Sequence, residues 1–185
     1  GGAIMSTKRR VWFEGATYHI TARGNRKEEI FRDKRDYNVY LNIMEESIEY
    51  YKDYNYKILS YCLMSNHIHF IIETDIEPLG LLIARSHSVY TRYFNRKYDY
   101  VGHLFQGRYF SELIKDEKQL LDASRYVHLN PVKAKIVESP ECYKWSSYAA
   151  IIGIRQVDLV DPKSLLKYFY HGDISYKEFV ESGIK

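Results

Sequence analysis

Two strand-like segments separated by only two residues constrain the fold of this chain more than any other feature. Residues 56–64 and 67–74 are rich in β-branched and aromatic residues, and only Ser65-Asn66 lies between them. Parallel strands need a connection of roughly a dozen residues or more, so these two segments are predicted to pair as an antiparallel hairpin.

Two further strands are predicted on either side of this hairpin. Residues 17–22 alternate in polarity and stop at Gly24-Asn25, which marks a turn. Residues 108–114 form the fourth strand candidate. The chain is therefore expected to build a four-stranded sheet.

Three helices are predicted between and after these strands. Asp33 can cap the first, and apolar residues at helical spacing predict the second over residues 81–98. The third begins at Glu117 or the residue before it and runs to about Asn130, where Pro131 disfavours continuation. The order β-α-β-β-α-β, then a helix, is typical of the α+β ferredoxin-like split βαβ fold, an antiparallel four-stranded sheet with helices on one face.

The length of 185 residues predicts one domain with an appendage. Residues 1–10 are interpreted as a cloning remnant ahead of Met5 followed by a basic N-terminal arm, and residues 11–153 as the folded domain. Residues 154–185 are expected to be a helical C-terminal appendage that carries no chemistry of its own, and that docks onto the domain or contacts a partner.

The composition excludes several classes of protein. A formal net charge of +3 permits a polyanionic partner without requiring one, and the 19 tyrosines can serve as core residues or as stacking surfaces for unpaired bases. Cys62 and Cys142 are widely separated, which argues against a disulfide framework or a cysteine zinc site. No apolar run approaches the roughly 18 residues of a membrane span. We expect a soluble cytoplasmic protein with no membrane partner.

A histidine pair begins the second strand of the hairpin. In a strand that starts at His67, the side chains of His67 and His69 point to the same face, whereas Ile68 and Phe70 face the core. Two neutral imidazoles on one face can bind a divalent cation. The alternative, which spacing alone favours, is an ordinary polar face of a solvated hairpin.

A tyrosine and an asparagine share one face of the third predicted helix. Tyr126 and Asn130 are four residues apart, which places their Cβ atoms about 5–6 Å from each other. Asn130 could give an amide oxygen to a metal while Tyr126 acts as a nucleophile. The alternatives are an Asn-Pro turn that ends the helix and a tyrosine used for packing. His19, on the first strand, is interpreted as a structural histidine that could also assist the site.

Four motifs together resemble a known family. They are Tyr18-His19-Ile20-Thr21-Ala22-Arg23-Gly24-Asn25, Tyr61-Cys62-Leu63-Met64-Ser65-Asn66-His67-Ile68-His69, Gln106-Gly107-Arg108-Tyr109 and Tyr126-Val127-His128-Leu129-Asn130-Pro131-Val132-Lys133-Ala134. In this order, over about residues 11–150, the chain closely resembles the REP-associated tyrosine transposases, which belong with the single-strand transposases of the HUH (His-hydrophobic-His) nuclease superfamily.

The resemblance implies a role for each residue of the two patterns. His67 and His69 match the metal ligands, Tyr126 matches the nucleophile, and Asn130 falls where a third, amide ligand follows the tyrosine. The implied cation is Mg²⁺ or Mn²⁺, although two imidazoles by themselves suit zinc or a later transition metal better. The implied reaction nicks and rejoins single-stranded DNA near imperfect palindromes that fold as hairpins, through a 5′-phosphotyrosine intermediate.

The expected partner is single-stranded or hairpin DNA, bound by a nucleoid-associated protein. Basic and aromatic side chains are candidates for contacting phosphates and bases. They are Arg9, Arg10, Arg23, Arg26, Arg92, Arg96, Arg108 and Tyr109. Whether one copy or a homodimer acts is open. Two other functions also remain open, a nucleic-acid-binding module without catalysis and a metal phosphoesterase that uses water.

Overall fold

One antiparallel sheet of four strands forms the centre of the protein. A computed structural model describes residues 11–184. The strands are β1 (Thr17–Arg23), β2 (Lys57–Met64), β3 (His67–Glu73) and β4 (Phe110–Ile114). Their order in the sheet is β2-β3-β1-β4, and each neighbouring pair is antiparallel. The predicted hairpin and the predicted ferredoxin-like fold are both confirmed.

Within the described residues, three long α-helices and three short ones accompany the sheet. They are α1 (Lys34–Tyr50), α2 (Gly80–Tyr98), α3 (Glu117–Lys133), α4 (Tyr148–Ile151), α5 (Lys163–Leu166) and α6 (Tyr176–Glu181). The side chain of Asp33 accepts a hydrogen bond from the backbone N–H of Asp36 and so caps α1, as predicted. Asp116 caps α3 in the same way through the N–H of Gln119.

The first two helices share one face of the sheet, as predicted, and the additional helix that carries Tyr126 lies on the other face. Helices α1 and α2 bury Tyr40 and Phe94 against the strand residues Ile20 and Phe70. Helix α3 lies on the opposite face, where Val127 belongs to a second apolar cluster with residues of β2 and β3. Side chains of a strand alternate between faces, so the histidines of β3 share the α3 face with Ile71.

A buried carboxylate joins α1 to α2. Asp36 is fully buried and accepts hydrogen bonds from the Tyr93 hydroxyl at 2.9 Å, the Lys97 ammonium at 2.7 Å and the Tyr98 hydroxyl at 2.7 Å. Burial raises the pKa of Asp36, but the hydrogen bonds outweigh burial and leave the pKa below its usual range. The carboxylate therefore stays charged and ties the first helical layer together.

The prediction that the third helix ends at Asn130 is wrong, because α3 continues through Pro131 to Lys133. Proline removes only its own N–H, and helical hydrogen bonding is still present beyond it: the N–H of Ala134 donates to the carbonyl of Asn130 at 2.9 Å. The Asn130 side-chain amide also donates to the carbonyl of Tyr126 at 3.0 Å. The helix therefore gains one further turn.

The C-terminal segment docks onto α3. Tyr176 and Val180 of α6 and Leu165 of α5 are buried in the same apolar cluster as α3. His128 of α3 is fully buried, with its Nδ1 2.8 Å from the Tyr176 hydroxyl and its Nε2 2.8 Å from Ser147 Oγ. Within residues 11–184, no helix combines the length and the apolar character that crossing a membrane requires.

Candidate active site

A cleft of about 530 Å³ lies between α3 and the adjacent face of the sheet. Strands β1, β3 and β4 supply its floor, and the face of α3 that carries Gln119, Asp122 and Tyr126 supplies one wall. Its polar lining contains three histidines, His19, His67 and His69.

The two histidines of β3 lie side by side on this floor. Their ring centroids are 5.0 Å apart and their planes are nearly perpendicular, at 84°. The register of the sheet places Arg23 opposite His67 and Thr21 opposite His69, both on β1. The period of the strand thus brings the two imidazoles together, as the sequence predicted.

Each of these rings has one nitrogen occupied by a neighbour. Nδ1 of His67 is 2.6 Å from Oδ1 of Asn66, so this nitrogen carries the proton and donates it. Nδ1 of His69 lies 3.0 Å from Nε2 of His19 and 3.2 Å from Oγ1 of Thr21. In contrast, Nε2 of His69 is buried and has no hydrogen-bond partner within the described part of the chain.

Burial keeps both rings neutral at physiological pH. Desolvation lowers the pKa of His67 to about 4, and the positive charge of Arg23 adds to the effect. Desolvation lowers the pKa of His69 to about 3, with smaller contributions from His67, His19 and Arg23. The neutral imidazole is the form that binds a metal.

The tyrosine of α3 reaches the same floor. The ring of Tyr126 is 5.6 Å from the ring of His69 and 5.8 Å from that of His19, centroid to centroid, in an edge-to-face arrangement with each. The residue is 44% exposed and lines the cleft. The ammonium of Lys133 lies 5.1 Å from the centre of the ring. One chain therefore brings together the phenol and the two imidazoles.

Asn130 is not brought to the cleft in the same way. It lies one helical turn beyond Tyr126, partly exposed, and its amide nitrogen is turned back to the Tyr126 carbonyl. Within residues 11–184, no three His, Cys, Asp or Glu side chains form a group that could hold a metal. A third ligand would thus have to be an amide, water or the substrate, and the role of Asn130 stays a prediction.

Three residues of the cleft were missed or undervalued in the sequence. The sequence indicates a mainly structural role for His19, yet Nε2 of this histidine lies 3.0 Å from Nδ1 of His69. Glu112 is opposite His19 in the β1–β4 pair, and Phe110 of β4, which is 64% exposed, lines the cleft. The position of β1 beside β3 in a ferredoxin-like sheet was a usable signal for His19. The register of β4 had no such signal.

The predicted DNA-contacting residues fall into separate groups. Arg9 and Arg10 lie outside the described residues. Arg23 lines the cleft and Arg26 is exposed just beyond β1. Arg92 and Arg96 are exposed on α2, the layer on the opposite face of the sheet. Arg108 and Tyr109 precede β4, with Arg108 exposed and Tyr109 partly buried. Their DNA contacts stay predictions.

Comparison with known proteins decides the family. The sequence matches the model of the family described as "Transposase IS200 like" over residues 13–130, which is more than half of the chain. The chain belongs to the IS200-like transposase family. The resemblance inferred from the motifs is confirmed, and this transposase is an enzyme of that family.

Two relatives agree with this assignment. A Haemophilus influenzae protein whose name places it among the REP-associated tyrosine transposases is 26% identical over 162 residues, which cover 78% of this transposase and 86% of the relative. A solved structure of a REP-associated tyrosine transposase bound to a REP hairpin has a TM-score of 0.66 at 16% identity. That match covers 85% of this transposase and 98% of the solved chain and supports the fold.

Proposed function

We propose that this transposase nicks and rejoins single-stranded DNA beside a hairpin, in a metal-dependent reaction that passes through a 5′-phosphotyrosine on Tyr126. One observation carries the proposal. The phenol ring of Tyr126 lies 5.6 Å from the imidazole of His69, centroid to centroid, in an open cleft of a single chain. A nucleophile and a phosphate-binding centre can converge there on one phosphodiester.

The residues of the cleft fit a divalent cation. The buried Nε2 of His69 has no partner among the described residues, and Nδ1 of His67 is engaged by Asn66, which leaves Nε2 of His67 to accept. His67 and His69 would hold the ion, with Asn130 as the third ligand that the family resemblance implies. When bound, the cation would polarise a phosphoryl oxygen of the scissile phosphate. We propose Mg²⁺ or Mn²⁺, following the resemblance.

The reaction on the protein side is a transesterification. The phenol oxygen of Tyr126 loses its proton and forms a bond to the scissile phosphorus, while the bond from phosphorus to the 3′ oxygen of the preceding nucleotide breaks. That oxygen takes up a proton and leaves as a 3′-hydroxyl. Attack by another 3′-hydroxyl reverses these steps, rejoins the strand and restores the phenol, so no external energy source is needed.

The floor of the cleft favours an unpaired DNA strand as substrate. Phe110 offers an exposed ring on which a base can stack, and Arg23 offers a positive charge for a phosphate on the same floor. Bases inside a duplex are already stacked and cannot use such a ring. The solved relative is bound to a REP hairpin. We therefore propose a DNA hairpin with a single-stranded flank as the substrate. We also propose that the protein acts in the cytoplasm, on the DNA of the cell.

We further propose that residues 11–153 form the catalytic domain and that residues 154–185 are an appendage. The contacts of α6 with α3 support a bracing role for the appendage. A homodimer remains compatible with this arrangement, because each copy carries its own phenol and imidazoles.

Covalent trapping tests the proposed reaction. The full chain is incubated with a pool of imperfect DNA hairpins carrying randomised single-stranded flanks, after chelation and addition of Mg²⁺, Mn²⁺ or Zn²⁺. We expect a denaturant-resistant adduct with Mg²⁺ or Mn²⁺ that retains a label at the 3′ end of the strand and loses a label at the 5′ end. Peptide mapping should locate the DNA on Tyr126.

Matched variants separate this reading from its alternatives. Tyr126→Phe and His67→Ala should abolish the adduct, whereas Tyr170→Phe, at a tyrosine that is 60% exposed outside the cleft, should leave it intact. Hairpin binding with no adduct under any cation would favour a non-catalytic module. Cleavage that survives Tyr126→Phe would favour a phosphoesterase that uses water, or Tyr109 as the nucleophile. Activity with zinc alone would contradict the proposed cation.

A further inference from the structure

The contact between His19 and His69 has no part in the reaction described above. Nε2 of His19 lies 3.0 Å from Nδ1 of His69, and the two rings are stacked with their centroids 5.2 Å apart. A hydrogen bond between two neutral imidazoles needs one donor and one acceptor. The direction of this hydrogen bond decides whether Nε2 of His69 carries a lone pair or a proton.

Only one direction leaves His69 able to bind a cation. If Nδ1 of His69 donates to Nε2 of His19, then Nε2 of His69 carries a lone pair and no proton. In the reverse direction, Nε2 of His69 would carry an N–H in a buried position where the described residues offer no acceptor. A metal-binding histidine ordinarily donates its second ring nitrogen to a fixed acceptor, and this bond sets its tautomer and orientation.

We propose that His19 is a positioning residue, which accepts the Nδ1 proton of His69 and so presents Nε2 of His69 to the cation. This inference rests on the proposed metal-dependent function. Glu112 is opposite His19 in the β1–β4 pair, and the ring of Tyr126 lies 5.8 Å from that of His19 in an edge-to-face arrangement, so the imidazole has neighbours on both β4 and α3. Thr21 Oγ1, at 3.2 Å, is the second neighbour of the same His69 nitrogen.

Two substitutions distinguish the acceptor from the ring. His19→Phe keeps a planar ring of similar size and removes the acceptor. His19→Gln removes the ring, but its side-chain oxygen can accept a hydrogen bond at nearly the position of Nε2. Binding of Mn²⁺ to the full chain is measured without DNA, by using electron paramagnetic resonance to quantify the concentration of free Mn²⁺. His67→Ala is the negative control, and His171→Phe, at an exposed histidine, is the matched control.

We expect His19→Phe to weaken Mn²⁺ binding by about 10- to 100-fold. His19→Gln should recover most of the affinity, and His171→Phe should match the wild type. Circular dichroism melts without metal show whether each variant is folded, and a merely structural role would lower both melting temperatures without separating the two affinities.

Three outcomes would overturn the inference. The inference about His19 fails if His19→Phe binds Mn²⁺ with wild-type affinity. It also fails if His19→Phe and His19→Gln lose the same affinity for Mn²⁺. Neither result would contradict the proposed reaction. If the wild type itself does not bind Mn²⁺, the proposed metal dependence and this inference fail together, and the covalent trapping experiment then decides whether Tyr126 still reacts.

Discussion

His69 shows how burial changes the affinity of one side chain for protons and for a metal ion. A buried imidazole loses its affinity for protons, and the same neutral ring becomes a better ligand for a cation. Asn130 is the opposite case, because its amide nitrogen is already used by the Tyr126 carbonyl and only its oxygen is left for a metal. The two residues therefore call for different tests.

Asn130→Ala and Asn130→Asp form a matched pair. Both lose the hydrogen bond from the amide to the Tyr126 carbonyl, but only Asp keeps an oxygen that can ligate Mg²⁺ or Mn²⁺. We predict that Asn130→Ala lowers the rate of adduct formation by about tenfold or more, and that Asn130→Asp retains most of the rate. Equal rates in the two variants would show that Asn130 only supports the helix.

His128 is expected to make the protein sensitive to acid. Complete burial lowers its pKa to about 3, while the unfolded chain binds a proton near pH 6.5. Between these values unfolding takes up a proton, so the stabilising contribution is present above about pH 6.5 and is lost as the pH falls. His67 and His69 act in the same direction.

We predict that replacing His128 flattens this pH dependence. The loss in unfolding free energy between pH 7 and pH 5 should be about 2 kcal/mol smaller in His128→Gln than in the wild type. Urea titrations at the two pH values measure it, with His171→Gln as the exposed control. An unchanged difference would mean that His128 is already neutral in the unfolded chain or titrates normally in the fold.

Helix α3 connects the chemistry to the C-terminal segment. One face of the helix carries Tyr126 into the cleft, and another carries His128 to Ser147 and to Tyr176 of α6. The segment that carries Tyr126 is thus supported, on another face of the helix, by residues that are distant in sequence. The charged group formed by Asp36 and Lys97 performs a comparable task between α1 and α2.

Tyr176→Phe tests this support. The substitution keeps the buried ring but leaves Nδ1 of His128 without its partner, which should lower the free energy of unfolding by about 1–3 kcal/mol. Urea denaturation measures the change, and Tyr170→Phe, at an exposed tyrosine of the same segment, should change it by less than about 0.5 kcal/mol. Similar effects at both positions would argue against bracing by α6.

Most elements were predictable because they depend on local patterns. The two-residue connection at Ser65-Asn66 and the cap at Asp33 each determine structure within a few residues. The end of α3 was not predictable from Pro131, since the surrounding contacts sustain one more turn than the local preference indicates. The position of Glu112 depends on the register between β4 and β1, which joins residues far apart in the chain and leaves no trace in spacing. The place of β1 beside β3 in this fold, in contrast, already brings His19 near the histidines of β3.

The whole molecule holds its candidate site within a single chain. Tyr126 contacts the ring of His69 of the same copy, so a site shared between two copies is not required. This makes a mixing experiment informative. Tyr126→Phe and His67→Ala each lack a different part of the site, and each is expected to be inactive alone.

We predict that a mixture of these two variants stays inactive. If the site were shared between subunits, a mixed dimer would contain one complete site. Random pairing of the two variants would then recover up to about a quarter to a half of the wild-type adduct. A site within one chain recovers none. Denaturing gels of the mixture, after co-refolding to allow exchange, provide the measurement, and recovered adduct would contradict the single-chain arrangement.

The placement of phenol and imidazoles on one polypeptide also has a genetic consequence. A cell that carries an intact allele beside a point-mutated one would make two kinds of protein. Neither protein could restore or inhibit the activity of the other, except by competing for the same DNA. Defective alleles whose product no longer binds DNA should then be recessive.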